Sequence, residues 1–213
     1  MDNILTRKFI DFVSDIKSKK IVDIGCGDRQ YERYISDSNK YIGVDVKESG
    51  RSLETKKADL YYNGVDLPFE DDSVDVVICT QVLEHAIAPE KLVKDMFRIL
   101  KKDGYTYITI PFIWGEHETP YDFRRYTSFG IKKLFEDEGF VIEKQEKLDI
   151  GSKSIKKLLF SEIGFAKSNK NSFIERVKFK IMYKLFSISF DILDSTVILK
   201  RVHLDNLLIA RKT

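Results

Sequence analysis

The pentapeptide Asp23-Ile24-Gly25-Cys26-Gly27 is the part of the sequence whose residue types and spacing best indicate chemistry. Glycines that follow a strand let the backbone approach a ligand where a Cβ atom would collide with it. A dinucleotide-binding turn needs a third glycine at position 30, which is occupied by Gln30. An acid two residues before the first glycine can receive a cationic amino group, but it would repel a pyrophosphate. The turn therefore predicts a ligand that carries an amino group and argues against a nicotinamide-dependent oxidoreductase.

A second acid is placed where it could bind a sugar. Asp45 follows about 20 residues after the turn, at the end of a second β-branched run. A carboxylate at that point can accept hydrogen bonds from both hydroxyls of a ribose. Each charge-assisted hydrogen bond contributes roughly 1.5–3 kcal/mol, so loss of Asp45 is expected to weaken binding about tenfold or more.

The segment 111–127 gathers aromatic, acidic, arginine and histidine side chains with little apolar periodicity. Loops at the ends of strands often carry function, and aromatic faces beside acids and arginines suit a polyhydroxylated or phosphorylated ligand. The predicted substrate-binding residues are Trp114, Tyr121, Asp122, Arg124 and Arg125. For the two arginines, a solvated ion pair with a neighbouring acid is the alternative interpretation.

Strands that alternate with helices must position these residues. Apolar spacing predicts helices at 1–18, 31–36, 90–102 and 128–138, the third of them closed by Gly104. The predicted strands are 20–24, 41–46, 57–60, 74–80, 105–112, 141–148 and 205–212. This order indicates an α/β fold with a parallel sheet and helices on both faces. The conspicuous side chains fall at the carboxyl ends of strands, where such sheets bind ligands.

Composition narrows the class of protein. The chain has 213 residues, of which 43% are hydrophobic and 33% charged, as expected of a globular protein. A formal net charge of +2 does not by itself predict a polyanion, and we expect no nucleic-acid partner. Cys26 and Cys79 lie in apolar runs and are expected to be reduced thiols. With a charged N-terminus and no run of about 18 apolar residues, the sequence predicts a cytoplasmic location.

Several ordered motifs resemble the class I S-adenosylmethionine-dependent methyltransferases, over about residues 20–148 and the final strand. These motifs are Val22–Gly27, Gly43-Val44-Asp45, Leu67-Pro68-Phe69, Ser73–Val77, Val82-Leu83-Glu84-His85 and Arg98–Gly104. The last two are similar to the small-molecule branch, and segment 111–127 resembles bacterial polysaccharide- and sugar-associated members. The resemblance implies a Rossmann-like, doubly wound, mostly parallel seven-stranded sheet.

The same resemblance implies a cofactor, S-adenosyl-L-methionine, and a product, S-adenosyl-L-homocysteine. Its implied roles are the methionine part for Asp23, Gly25 and Gly27, and the ribose for Asp45 and Val46. Asp59 and Leu60 would contact the adenine, and Thr80 and Gln81 would border the sulfonium and the acceptor. The sequence departs from the family at Arg29, where many members carry a third glycine.

Methyl transfer from a sulfonium is a one-step displacement, in which alignment alone can contribute roughly 7–11 kcal/mol. A hydroxyl acceptor also needs a base, which typically adds about 10²–10⁴-fold. His117 is the first candidate for that base and His85 the second, with Asp122 placed to orient a histidine. No metal ion is predicted.

The stretch 152–201 carries eleven Lys or Arg residues against four acids, with apolar residues at helical spacing. We interpret it as a basic helical insertion before the last strand. It could cap the active site, lie on an anionic membrane surface or contact nucleic acid, and the first two interpretations are favoured over the third. Peripheral contact with the inner face of a membrane through 152–201 therefore remains open.

The sequence predicts methyl transfer to a hydroxyl of a sugar, glycan or other small metabolite, as in polysaccharide biosynthesis. The alternatives are a quinone-type or amine acceptor, or a non-catalytic scaffold that binds S-adenosylmethionine. We predict a single domain over 1–213, with an N-terminal helix at 1–18 and a cofactor-binding core at 20–148. The insertion at 152–201 and the last strand at 205–212 complete it. The oligomeric state is left open.

Overall fold

The computed structural model describes residues 4–151, 154–159, 173–196 and 202–213. Contacts divide the chain into two compact units. The first unit comprises Met1–Phe112, Glu116–Glu146 and Asn206–Thr213, and the second comprises Ile113–Gly115 and Lys147–Asp205. The parts of the predicted insertion at 152–153, 160–172 and 197–201 lie outside the described residues. The single-domain organisation stays a prediction.

Seven strands form one sheet with the order β3-β2-β1-β4-β5-β7-β6. They are β1 (Lys20–Ile24), β2 (Lys40–Val46), β3 (Leu60–Tyr62), β4 (Val74–Thr80), β5 (Leu100–Pro111), β6 (Val141–Leu148) and β7 (Asp205–Arg211). The neighbours from β3 to β5 pair in parallel. Strand β7 runs antiparallel to β5, because Asp103 N donates to Lys212 O while Lys212 N donates to Gly104 O. The predicted mostly parallel, seven-stranded sheet is confirmed.

In the described parts of the chain, the longer helices are α1 (Ile4–Val13), α2 (Pro89–Ile99) and α3 (Ser128–Asp137) of the first unit and α4 (Phe173–Thr196) of the second. Pro89 stands in the first turn of α2, where its missing N–H costs no hydrogen bond. The side chain of Thr127 accepts a hydrogen bond from Gly130 N at 3.0 Å and so caps the start of α3.

Helices of the first unit cover both faces of the sheet. On one face, Tyr107 of β5 packs edge to face against Phe9 of α1, with ring centroids 5.5 Å apart. On the other, Ile108 joins a buried apolar cluster with Met96 of α2 and Phe135 of α3. Since successive residues of a strand point to opposite faces, α1 lies opposite α2 and α3. This arrangement confirms the predicted doubly wound layers and directs the strand ends toward one edge.

Several predicted elements differ from the structure; among them, α1 ends at Val13 rather than at residue 18, and β5 begins at Leu100 rather than at residue 105. The segment 31–36 forms only the short 3₁₀ turn Glu32–Tyr34 and not a helix. The third strand is Leu60–Tyr62 rather than 57–60, since Val44, Asp45 and Val46 of β2 pair with these later residues. The shift is important for the site because it moves the end of β3 two residues further along the chain.

Gly104 does not close helix α2, which ends at Ile99. It lies within β5, where a Cβ atom would stand 2.8 Å from Lys101 O and 3.0 Å from Asp75 O. The pairing of β4 with β5 shifts register at this point, as in a β-bulge. Gly104 therefore permits a close approach of two backbones. From the sequence alone, a glycine in this role cannot be told apart from one that ends a helix.

Candidate functional site

A cavity of about 620 Å³ opens in the first unit at the carboxyl ends of the parallel strands. This volume is in the range of pockets that hold cofactors and other small ligands. Its walls come from the segments that follow β1 to β5. Of the predicted site residues, those that line it are Asp23, Gly25, Gly27, Asp45, Val46, Thr80, Gln81, His85 and Tyr121.

The glycine turn forms the floor of the cavity in backbone conformations that favour glycine. Gly25 has φ +69° and Gly27 has φ +52°. A Cβ atom on Gly25 would stand 2.3 Å from a methyl carbon of Val82, so the turn lies directly against the segment after β4. Gly25 N and Cys26 N both donate to Val44 O, at 2.8 and 3.1 Å. The turn is thus fixed to β2 and leaves its other side to a ligand.

Asp45 is held rigidly at the end of β2. Its Oδ2 accepts from Gly27 N at 3.0 Å, and its Oδ1 accepts from Val46 N at 2.7 Å. The buried Nζ of Lys56 lies 3.1 Å from the same Oδ1 and donates to Val46 O. Oδ2, which has only the contact with Gly27 N, retains a further lone pair for a ligand hydroxyl. Lys56 is a site residue that sequence reasoning missed, because a lysine outside any motif carries no signal.

Asp23 is a buried carboxyl group beside a second acid. The Tyr41 hydroxyl donates to its Oδ2 at 2.6 Å. Burial raises the pKa of Asp23 to about 7, the Tyr41 bond opposes this rise, and the nearby Asp45 adds to it. A cationic amino group in the cavity would favour the ionised form of Asp23. The geometry therefore suits the predicted role of Asp23 toward an ammonium group.

Arg29 occupies the position of the family's third glycine and adopts the left-handed conformation, with φ +64°. Its guanidinium donates to both carboxylate oxygens of Glu32, at 2.9 and 2.7 Å, and to Asp59 Oδ1 at 2.7 Å. It also covers the Tyr41 ring, 4.9 Å from the centroid. The turn thus keeps the backbone shape of a glycine while its side chain ties together the segments after β1 and β2.

Asp59 and Leu60, predicted to contact an adenine, are not among the residues that line the cavity. Asp59 accepts from Gly43 N at 2.8 Å in addition to its ion pair with Arg29. The wall at this end is formed instead by Tyr61, Tyr62, Asn63 and Gly64. Tyr61 and Tyr62 could have been predicted as cavity residues, because they end a short strand. The prediction missed them because it ended this strand at residue 60.

Thr80 and Gln81 come at the end of β4 and line the cavity as predicted. Gln81 has φ +56°, which is uncommon for a residue other than glycine. Its N donates to Thr109 O at 2.8 Å, and its side-chain amide to Thr109 Oγ1 at 3.3 Å. This strained residue is held by β5 at the point where the glycine turn and the segment after β4 meet.

The two histidines lie together, but only His85 lines the cavity. Their rings meet edge to face with centroids 4.8 Å apart. His85 Nδ1 lies 2.9 Å from Tyr121 O, and burial lowers the pKa of the ring, which favours its neutral form. His117 stands behind it, with Nδ1 3.3 Å from Asp122 Oδ2. The structure thus joins the two candidate bases in one cluster and places His85 at the cavity wall.

The predicted arginines serve the loop rather than the cavity. Arg125 and Asp122 form a two-point ion pair, one contact of which is 2.7 Å from Nη2 to Oδ2. This pairing and the N–H of His117 lower the pKa of Asp122 to about 2. Arg124 donates to the backbone oxygens of Ala86 and Ile87. Trp114 belongs to the second unit, and its side chain is partly exposed.

Two loops meet at the cavity rim in a way that the sequence did not indicate. Arg51, after β2, pairs with Glu118, after β5, and both line the cavity. A Cβ atom on Gly50 would stand 2.0 Å from Glu118 O, so only glycine allows this approach of the two backbones. The rim is therefore closed by backbone packing as well as by an exposed ion pair.

These strands, glycines and acids can be compared with known families. Residues 22–108 match the family model for a methyltransferase domain. That segment contains the glycine turn, Asp45, Gln81 and His85, but neither the 111–127 loop nor helix α4.

A curated relative is the ubiquinone biosynthesis O-methyltransferase of Cupriavidus pinatubonensis. It is 32% identical over 123 residues, which cover 50% of this chain and 47% of that protein. The chain spans about half the length of the curated relatives it matches.

Solved structures agree on the fold. Phosphoethanolamine N-methyltransferase 2 of Haemonchus contortus, solved with phosphomonomethylethanolamine and S-adenosylhomocysteine, has a TM-score of 0.61 at 18% identity. The match covers 98% of this chain and 52% of that one. The [4+2]-cyclase SpnF has a TM-score of 0.63 at 16% identity, covering 98% of this chain and 80% of that one. The fold is thus that of the Rossmann-like methyltransferases, a fold that SpnF shows to be compatible with other chemistry.

Proposed function

We propose that the protein is an S-adenosylmethionine-dependent methyltransferase that acts on a hydroxyl of a small molecule. The observation that carries this proposal is the meeting of the Asp23 carboxyl, the glycine turn and the Asp45 carboxylate in one cavity. S-adenosylmethionine combines a ribose diol, which most nucleotides share, with an ammonium group, which they lack, and each of these two groups has an acid suited to it. The methyltransferase domain match over 22–108 supports the same assignment.

Within this proposal, Asp23, Gly25 and Gly27 hold the methionine part, and Asp45 with Val46 holds the ribose. The adenine ring would lie between Tyr61 and Gly64, at the end of β3. Asp59 would position the glycine turn through its ion pair with Arg29. Thr80 and Gln81 would border the sulfonium. The cofactor is therefore surrounded by the ends of four strands, which suits a reaction that depends chiefly on alignment.

The acceptor would enter at the end of the cavity formed by His85 and Tyr121. We propose that His85 and His117 promote loss of the proton from the acceptor hydroxyl. Direct transfer to His85 is restricted, because its Nδ1 contacts Tyr121 O and its Nε2 is shielded from solvent. A sugar or glycan hydroxyl is the first candidate, because Glu118 and Tyr121 of the polar loop 111–127 line the cavity. The ubiquinone O-methyltransferase relative supports a quinone-type phenol as the second.

Calorimetric titration with S-adenosylhomocysteine tests the cofactor assignment. The wild-type protein is expected to bind, and Asp45→Ala to bind about tenfold more weakly or worse, since hydrogen bonds from the ribose to a carboxylate are lost. The variant Asp37→Ala, at an exposed site outside the cavity, is the matched control. Equal affinity of wild type and Asp45→Ala would contradict the proposed pose. If the cofactor assignment holds, activity assays with sugars and with phenols in parallel would distinguish the two acceptor classes.

Helix α4 supports a proposal about location. It carries Lys178, Lys180 and Lys184 among exposed apolar side chains. Exposed apolar residues on this helix are Val177, Ile181, Met182, Tyr183, Leu185, Phe186, Ile188 and Ile192. No helix among the described residues is long and apolar enough to cross a membrane. We propose that α4 lies on an anionic membrane surface, where its lysines would meet lipid phosphates and its apolar side chains the acyl boundary.

Co-sedimentation with vesicles tests this placement. Binding is expected to vesicles that contain phosphatidylglycerol and to fall with salt, because each lysine near an anionic surface contributes about 1 kcal/mol. Replacement of Lys180 and Lys184 by Gln should weaken it, whereas Lys133→Gln, on the exposed face of α3, should not. Equal binding to neutral and anionic vesicles would refute the electrostatic part of the proposal.

A further inference from the structure

One carboxylate and two imidazole rings come together beside the cavity. Glu84, His85 and His117 each offer one ligand atom, and these atoms lie within 4.8 Å of one another. Glu84 Oε1 is 3.8 Å from His85 Nε2. A metal ion bound at about 2.0–2.2 Å to each would hold its ligand atoms roughly 3–4 Å apart. Small side-chain rotations would therefore close this group around one ion.

The hydrogen bonds of the two rings prepare their nitrogen atoms for such a role. His85 Nδ1 lies 2.9 Å from Tyr121 O, which can only accept, so the proton belongs on Nδ1 and the lone pair on Nε2. Nε2 is shielded from solvent and has no hydrogen-bond partner within the described part of the chain. His117 Nδ1 faces Asp122 Oδ2 at 3.3 Å, so a carboxylate orients this second ring. Metal-binding histidines are oriented in this way by a carbonyl or carboxylate.

Charge favours a cation in the same place. The side chain of Glu84 is fully buried. A buried carboxylate keeps its charge only with compensating charge or hydrogen bonds nearby. The guanidinium of Arg125 interacts electrostatically with Glu84, although its close contacts are the two that it makes with Asp122. An ion held between Glu84 and the two imidazoles would neutralise the carboxylate where it lies.

We propose that Glu84, His85 and His117 form a binding site for a divalent transition-metal ion, with Zn²⁺ as its occupant. Two neutral imidazoles and one carboxylate suit Zn²⁺, whereas Mg²⁺ and Ca²⁺ take sets made of oxygen atoms. Sequence reasoning predicted no metal, because Glu84 and His85 precede helix α2 while His117 belongs to a separate loop.

The metal site would deepen the proposed function and rests on it for its role. Zn²⁺ with three protein ligands keeps a fourth position, and the side-chain rotations that close the group would have to turn this position toward the end of the cavity lined by His85 and Tyr121. An acceptor hydroxyl bound there would have a lowered pKa and release its proton to water. Its oxygen would form a bond to the methyl carbon as the carbon–sulfur bond breaks and the electron pair returns to sulfur. The two histidines would thus promote proton loss as ligands.

Metal binding can be measured without cofactor. Chelator-treated protein is incubated with Zn²⁺ alone, or with Co²⁺ as a spectroscopic probe, and the retained metal is measured by mass spectrometry after gel filtration. One ion per chain is expected, with visible Co²⁺ bands of a four-coordinate site. Glu84→Gln and His117→Gln should each weaken binding at least about tenfold, since loss of an outer-shell partner alone costs roughly 10–100-fold. His203→Gln, at the one histidine outside the group, should leave it unchanged.

The folded state of each variant is checked by S-adenosylhomocysteine binding. The His117 side chain is 30% exposed whereas that of Glu84 is fully buried, so replacement of His117 should disturb the packing less and tests the site even if Glu84→Gln does not fold. A folded wild-type chain that retains no Zn²⁺ or Co²⁺, or retention unchanged in His117→Gln, would overturn the metal site. S-adenosylhomocysteine binding without metal would leave the methyltransferase proposal standing. Metal binding by a chain that does not bind S-adenosylhomocysteine would leave the metal site standing and contradict the methyltransferase proposal.

Discussion

Replacement of Asp23 by Asn is expected to stabilise the protein without ligand at alkaline pH. Burial raises the pKa of Asp23 from its usual 3.8 to about 7. Ionising this carboxyl in the folded state above pH 7 therefore costs the equivalent of about three pH units, or about 4 kcal/mol of folding free energy. Asn cannot ionise, and its side-chain oxygen can still accept the hydrogen bond from the Tyr41 hydroxyl.

The sign of the effect depends on pH in a defined way. Below about pH 3.8, Asp23 is protonated in both the folded and the unfolded chain, so its ionisation does not affect stability. As pH rises toward 7, the unfolded chain loses this proton first and the folded state becomes progressively less favoured. The stabilisation by Asp23→Asn should then be about 4 kcal/mol at pH 8 and roughly 1–2 kcal/mol at pH 5.

Urea denaturation at the two pH values measures this difference, with Asp37→Asn as the control at an exposed carboxylate. The same Asn variant should bind S-adenosylhomocysteine more weakly than wild type at pH 8, since it offers no negative charge to the ammonium group. If the variant were equally stable relative to wild type at pH 5 and pH 8, the pKa of Asp23 would not be raised. If it bound the ligand normally, Asp23 would not hold the amino group.

Three further perturbations address the turn and its surroundings. Arg29→Gly should change the free energy of unfolding by less than about 1 kcal/mol, because relief of backbone strain at φ +64° offsets the lost ion pairs. Removal of the Arg29 charge should also raise the pKa of Asp23 and so shift the pH midpoint of S-adenosylhomocysteine binding upward. Gly25→Ala should lower the free energy of unfolding by about 1–3 kcal/mol in urea titrations and block the ligand, given its φ of +69° and the 2.3 Å approach to Val82. Lys56→Met should fold but weaken S-adenosylhomocysteine binding severalfold in calorimetry, because the buried Nζ no longer holds Asp45; unchanged affinity would show that the backbone N–H bonds suffice.

The parts of the fold that follow from periodicity could be predicted. Strands β1, β4 and β6 begin and end where the apolar pattern places them. The glycine turn and Asp45 were also accessible, since a close backbone approach requires glycine and a carboxylate at a strand end is visible in the sequence. These features share one property: each depends on residues that are neighbours along the chain.

Contacts between distant segments could not be predicted. The pairing of Gly50 with Glu118 joins two loops 68 positions apart, and nothing in either loop indicates the other. His85 and His117 both appeared as candidates, but the sequence could not show that their rings touch. The sequence predicted Asp59 at the cavity wall, but Tyr61–Gly64 lie there, because β3 ends two residues later than predicted. A strand of three residues has too little alternation to define its position.

Burial of two acids in one cavity is unfavourable for the protein alone and favourable once a cation is bound. Asp45 helps to raise the pKa of Asp23, and the ammonium group of the cofactor would reverse that effect. At the same cofactor concentration and at pH 8, the cofactor should therefore stabilise the wild type more than Asp23→Asn, because the wild type has the lower dissociation constant for it. The same carboxyl group that weakens the empty fold at alkaline pH would then make cofactor binding tightest there. Affinity should rise about tenfold per pH unit below pH 7, level off near pH 7–8, and fall above about pH 8 as the α-ammonium group of the cofactor loses its proton.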